Sequence, residues 1–300
     1  MEYAKILINI LVFLLIAPFF DGVVRKITAR VQSRKGPSVF QTYFDILKLF
    51  IKEDINPGGS KVFAFAPILA MVSILMVIAI VPFGYQGNAL SQWIDVITII
   101  YLLTMSGVAI IFGALASGNT FAHIGASREM VTMIMLEPVL AMTFILTIVK
   151  VQSLELSAVI AGVGTTGYTF STVLMLIIYI MALQAFVARQ PFDIAEAEIE
   201  ILEGPFIEYS GPSYGLFKYF MMLKQTFYAY ILVAIFAPFL KTSFYGLNVL
   251  IQLAGMLLVV LFIALIGSTN PRLRIDQAVK YYALLIFCSL CTVGLSAYGY

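Results

Sequence analysis

The sequence predicts an all-α, polytopic integral membrane protein, a single transmembrane domain over residues 1–300. Three observations lead there. Hydrophobic residues make up 61% of the chain, charged residues 11%, and the mean hydropathy is +1.00, which leaves a soluble fold with more apolar surface than a core can take in. The apolar residues gather into eight runs, near 3–24, 63–83, 94–116, 130–150, 169–188, 217–240, 244–266 and 280–297. Each is long enough to cross a hydrocarbon layer roughly 30 Å thick. The breaks carry turn chemistry: Pro57-Gly58-Gly59-Ser60, Gly84-Tyr85-Gln86-Gly87-Asn88, Ser117-Gly118-Asn119, Gly162 to Gly167, and Gly267-Ser268-Thr269-Asn270-Pro271.

The first run lacks a small-x-small cleavage site before Asp21, so it reads as a retained span. The connection after it, 25–61, has a basic beginning, then Gly36-Pro37, then a periodic stretch. Gln41, Asp45, Lys48 and Lys52 recur every three or four residues, with Phe44, Leu47, Phe50 and Ile51 between them. That spacing predicts an amphipathic helix at the membrane border, serving lipid headgroups or a docked protein.

The next charged connection is expected as a loop holding His123, Arg128 and Glu129, ahead of a span that contains Glu137-Pro138. Glu129 and Glu137 are eight residues apart, about two helical turns, so both can face one polar seam. An acid at such depth is a candidate stop on a proton or ion route, the plainer alternative being a structural acid tied to another helix. His123 is expected to pack or hydrogen-bond rather than ligate a metal.

The third connection is the most acidic part of the chain. Residues 189–211 hold six of the sixteen carboxylates: Asp193, Glu196, Glu198, Glu200, Glu203 and Glu208. A helix beginning after Pro191 would bring Asp193, Glu196, Glu200 and Glu203 within an arc of roughly 80 degrees, with Glu198 pointing away. Crowded carboxylates share protons, so the segment is a candidate transient proton store; a static ion-pair network with nearby arginines is the alternative. The run at 217–240 is the weakest span, because Lys218 and Lys224 sit near its start. The fourth charged connection, Asn270 to Asp276, is short and carries Arg272 and Arg274. Cys288 and Cys291 lie in the last run, without companions that could complete a cluster site, and are expected as core or lipid-facing residues.

Charge distribution gives an orientation. Fourteen bases from Arg25 to Lys280 fall in connections on one side, whereas the other receives Lys5, Lys150 and Lys241. The positive-inside rule therefore places both termini outside and the charged loops in the cytoplasm. A net charge of +2 gives no reason to expect nucleic acid, and no internal repeat suggests an inverted-repeat transporter.

Several long motifs, in order and each beside a span, resemble the respiratory complex I subunit 1 family. They are Arg25 to Pro37, Asp45 to Asp54, Pro191-Phe192-Asp193 with Ala195-Glu196-Ala197-Glu198, Glu208-Tyr209-Ser210-Gly211, and Pro271 to Asp276. Within it the chain looks like the branch found in membrane-bound, energy-converting nickel–iron hydrogenases of the formate hydrogenlyase type. Gly36-Pro37 reaches Gln41 through only Ser38, Val39 and Phe40, without the second Gly-Pro of the quinone-reducing branch, and Leu202-Glu203-Gly204-Pro205 replaces that branch's more usual Gly-Phe pairing.

The resemblance implies a membrane anchor and coupler rather than a catalyst. No cofactor is expected in this chain; the nickel–iron centre and iron–sulfur clusters belong to the hydrogenase large and small subunits docked on its charged face, with antiporter-like and smaller membrane subunits and lipid beside it. Glu129, Glu137, Asp193, Glu196, Glu200, Glu203 and Glu208 are the candidate ion-coupling residues. Arg25, Arg30, Arg34, Asp45, Lys48, Arg128, Arg272 and Arg274 are the candidate docking or charge network. A quinone-binding subunit of a complex I-like oxidoreductase, the anchor of a related sulfur-reducing complex, an autonomous transporter and a purely structural anchor are the alternatives.

Overall fold

The computed structural model describes residues 2–57, 59–85, 90–91, 94–242 and 244–299, with the side chains of residues 2–4, 85, 198 and 240 outside that description. The middle of the predicted turn at Gln86–Asn88, Gly58, and the orientation of Glu198 lie outside it. Among the described residues there are eleven α-helices and no strand: α1 (Glu2–Val31), α2 (Gln41–Ile51), α3 (Lys61–Ile80), α4 (Val96–Ala116), α5 (Thr120–Val151), α6 (Leu156–Thr166), α7 (Phe170–Phe186), α8 (Glu198–Ile201), α9 (Gly211–Phe236), α10 (Tyr245–Thr269) and α11 (Ile275–Ala297). Seven of them, α1, α3, α4, α5, α9, α10 and α11, are long and apolar enough to cross a membrane. The run expected at 169–188 forms α7, whose 17 residues span roughly 26 Å.

Outward faces support that reading. Leu7, Leu11 and Leu15 on α1, Phe65, Ile68 and Met76 on α3, Leu250 and Leu258 on α10, and Leu284, Phe287 and Leu290 on α11 are all exposed. Apolar surface of that extent is stable only against lipid or partner protein.

The run with two lysines near its start is the centre of the bundle. Helix α9 packs against α1, α2, α3, α6, α7 and α10, and is the most enclosed of the spans. Lys218 and Lys224 are tolerated because the helix faces other protein elements, where carboxylates answer them, rather than hydrocarbon. Outside this ring, α4 packs on α3 and α5, and α11 on α5 and α7.

Three expectations are corrected. The connection at 117–129 is shorter than predicted: Asn119 caps α5 by accepting from the Phe121 N–H at 2.8 Å, so His123, Arg128 and Glu129 stand on a helix of 32 residues. Residues 162–166 are the end of α6 rather than a turn, and Gly167, at φ 79°, ends it. Most consequentially, the acidic segment is not one helix. Its α-helical part is α8, four residues long, after which Leu202, Glu203 and Gly204 all take positive φ and a single 3-10 turn follows at Gly204–Phe206. Asp193, Glu200 and Glu203 are drawn to partners on three different elements, and that competition outweighs a helix whose exposed acids would repel one another.

The amphipathic helix appears as predicted, at Gln41–Ile51. It is approached through a close contact, since a Cβ on Gly22 of α1 would fall 1.9 Å from the Val39 carbonyl oxygen. Gly22→Ala should therefore displace residues 36–40, at a cost of about 1–3 kcal/mol. Limited trypsin digestion of the detergent-solubilised protein should then cut sooner after Arg34 or Lys35; an unchanged rate would show that α1 and this segment do not press together.

Candidate functional site

The charged connections meet at one end of the bundle. Their hub is Asp21, an acid inside the apolar α1 that is only 4% exposed. It forms an ion pair with Arg25 Nε at 3.1 Å, one helical turn on, and accepts from Arg189 Nη2 at 2.7 Å, just beyond α7. Arg25 also reaches Asp45 on α2 at 2.8 Å, and Arg189 donates to the Gln225 side chain on α9 at 3.2 Å. Burial pushes the Asp45 carboxyl up, but hydrogen bonds from Arg25 and Gln41 outweigh it and hold the group below its ordinary value. Four elements are thereby tied to one buried carboxylate. Sequence reasoning missed Asp21, although an acid four residues before an arginine within an apolar run was the signal.

The acidic connection distributes its carboxylates outward and inward. Asp193 receives Arg272 Nη2 at 2.5 Å, linking it to the α10–α11 connection, where the Leu273 N–H also donates to the Pro191 carbonyl at 3.0 Å. Glu200 receives Arg128 Nη1 of α5 at 2.7 Å, and that hydrogen bond holds its carboxyl below the ordinary value. Glu208 accepts from Asn119 at 2.5 Å. Glu203 accepts from the Tyr214 hydroxyl at 2.9 Å, which in turn accepts from Lys218 Nζ at 2.9 Å. Arg30, Arg34, Lys48 and Arg274 are exposed. His123 bonds the Leu115 carbonyl at 3.2 Å, in keeping with a hydrogen-bonding role.

Glu196 turns inward. It lines a polar cavity of about 220 Å³ together with Asp21, Arg25, Arg189, Glu203, Tyr214 and Lys218. Its Oε1 is buried and takes no hydrogen bond from the protein. Burial, and then repulsion from Asp193, push its carboxyl up to about 8 against the pull of Arg189 and Lys218. A carboxyl near neutrality in a polar cavity can take or release a proton under small changes in its surroundings.

A second cavity, of about 60 Å³, lies deeper between α4, α5, α7 and α9. It is lined by Glu129, Glu137, Lys224, Thr104 and Tyr228 among apolar neighbours. Lys224 Nζ stands 4.0 Å from Glu129, both being largely enclosed, and Glu137 Oε1 is buried without a protein partner. The two acids share the seam expected of their spacing. Lys218 and Lys224, which in the sequence only weaken the span, prove to stand one beside each cavity.

Fold and site define a multi-pass membrane protein whose charged end is tied together around buried acids. The chain matches the family described as NADH dehydrogenase over residues 4–297, and it belongs to that family. It is 32% identical over 298 residues to formate hydrogenlyase subunit 4 of Escherichia coli, covering 95% of this chain and 97% of that one. It is 30% identical over 295 residues to a subunit of the NADH-quinone oxidoreductase of Bacillus cytotoxicus, covering 91% and 86%. Among solved structures it superposes on a chain of the membrane-bound sulfane sulfur reductase, an archaeal respiratory membrane complex, with a TM-score of 0.86 at 26% identity and coverage of 98% and 99%. The protein is thus a membrane subunit of a complex I-like complex.

Glu196 makes stability depend on pH. Between about 4.5 and 8 the folded protein keeps a proton that the unfolded chain releases, so this acid lowers stability as pH rises through that window, fully above it and not below. Glu196→Gln removes the effect. The melting temperature of the solubilised variant should gain on the parent steadily from pH 5 to 8; a difference independent of pH would place the retained proton elsewhere.

Proposed function

We propose that this chain is the membrane-anchoring and energy-coupling subunit of a membrane-bound nickel–iron hydrogenase complex. Its charged end, facing the cytoplasm with both termini outside, docks the large and small subunits that hold the nickel–iron centre and iron–sulfur clusters. Antiporter-like membrane subunits lie alongside, and redox chemistry in the arm is linked through this chain to movement of protons or sodium ions. The observation that carries the coupling role is the row of enclosed ionisable groups running inward from the charged end: Glu196 and Lys218 at the first cavity, then Glu129, Lys224 and Glu137 at the second. Full-length similarity to a formate hydrogenlyase subunit supports the hydrogenase assignment.

The coupling is electrostatic. An event in the arm shifts the charge network around Asp21 and Arg189, and with it the proton occupancy of Glu196; the change passes to Glu129 and Glu137. A bias of about 1.4 kcal/mol alters occupancy tenfold, so modest movements suffice. Asp193, Glu200 and Glu208, each held by a partner from another element, keep the acidic connection in place while Glu196 and Glu203 face the cavity. Exposed Arg30, Arg34, Lys48 and Arg274 are available to an arriving partner. A second reading, the anchor of a sulfur-reducing complex, is favoured by the close superposition on the sulfane sulfur reductase.

Hydrogen evolution from reduced methyl viologen should follow the intact complex that copurifies with this chain. An intact, cluster-bearing complex without that activity would move the assignment to the sulfur-reducing or quinone-reducing relatives. Glu137→Gln in the same complex should leave redox turnover near the parent's and lower ions moved per electron roughly tenfold. Equal loss of both would indicate a structural acid instead.

A further inference from the structure

Both cavities share a wall at the end of α7. Ala188 lines the two of them, and nearby Ala195 lines the deeper one while Glu196 lines the other. Ala188 also has an unusual backbone. It sits just past the helix end at φ 53°, in the left-handed region where glycine is the usual residue. The turn closes as such helix ends do: the Ala188 N–H donates to the Ala185 carbonyl, and the Arg189 N–H to the Gln184 carbonyl, each at 3.1 Å. Glycine would make this turn with less strain. What alanine adds is one methyl group, on a residue that lines two cavities, each holding an acid and a lysine.

Resting on the coupling role above, we propose that the Ala188 methyl group is a partition that keeps water in the two cavities from joining into one column. With the partition in place, a proton on the Glu196 carboxyl has no continuous path to the Glu129 carboxylate. Without it, a proton released from Glu196 can reach the deeper cavity through continuous water whatever the state of the redox arm, and coupling is short-circuited. The wall is also placed to respond. Arg189, the next residue, is held by Asp21 at 2.7 Å and by Gln225 at 3.2 Å, so a rearrangement of the charge hub pulls directly on the Ala188 turn.

Ala188→Gly in the intact complex removes the methyl group and relieves the backbone at once. The variant should melt no lower than the parent and keep its redox turnover, yet move roughly tenfold fewer ions per electron in proteoliposomes. Ala188→Asn tolerates the same backbone and refills the wall, so it should retain the parent's ratio. An unchanged ratio in the glycine variant overturns the partition, as does equal loss in both variants, which would point to the turn rather than the methyl group. Glu137→Gln separates the levels: if it abolishes translocation while Ala188→Gly does not, the partition alone is wrong. If neither changes the ratio, the coupling role has failed as well.

Discussion

Burying charge in a medium that solvates it poorly is the constraint on which this structure depends. Asp21, on the first helix and almost wholly enclosed, can stay there only because Arg25 and Arg189 both reach it. Arg25 extends the network to Asp45 on the amphipathic helix, and Arg189 extends it to Gln225 on the central helix. Segments distant in sequence are thus fixed by one electrostatic requirement rather than by local preference. For that reason the charged connections share one end of the bundle.

The same requirement explains the central position of α9. A helix with two lysines is costly against lipid and cheap against carboxylates, so it occupies the middle, surrounded by α1, α3, α7 and α10. Once it lies there, Lys218 joins Arg25 and Arg189 at the first cavity, and Lys224 brings positive charge to a second cavity that also holds Glu129 and Glu137. Packing and electrostatics therefore cooperate: the apolar residues of the outer helices face outward, while polar groups collect inside, where water and one another can satisfy them.

The proposed function rests on what this arrangement leaves unsatisfied. Glu200 and Glu208 have firm partners from other elements, whereas Glu196 and Glu137 each keep a buried oxygen without a protein donor. Groups of the first kind hold a surface; groups of the second kind are the ones proposed to carry the coupling. Relatives named for hydrogen, quinone and sulfur chemistry match this membrane chain over most of its length, and the proposed anchoring and coupling role is one that different redox arms could use.

Much of this was legible in the sequence. The spans follow from apolar runs of membrane length, the amphipathic helix from the spacing of Gln41, Asp45 and Lys48, the shared seam of Glu129 and Glu137 from two turns of helix, and the family from motifs that stand in order along the chain. All of these are local or periodic properties, which a one-dimensional pattern records. The arc of four carboxylates after Pro191 was also a local inference, and it failed because Arg272, Arg128 and Tyr214 arrive from three other elements and outweigh helix propensity. Asp21 as a hub, Lys218 and Lys224 as cavity residues and Ala188 as a shared wall belong to the tertiary structure alone. Each is defined by neighbours remote in sequence, and only the folded bundle decides which charges come close enough to answer one another.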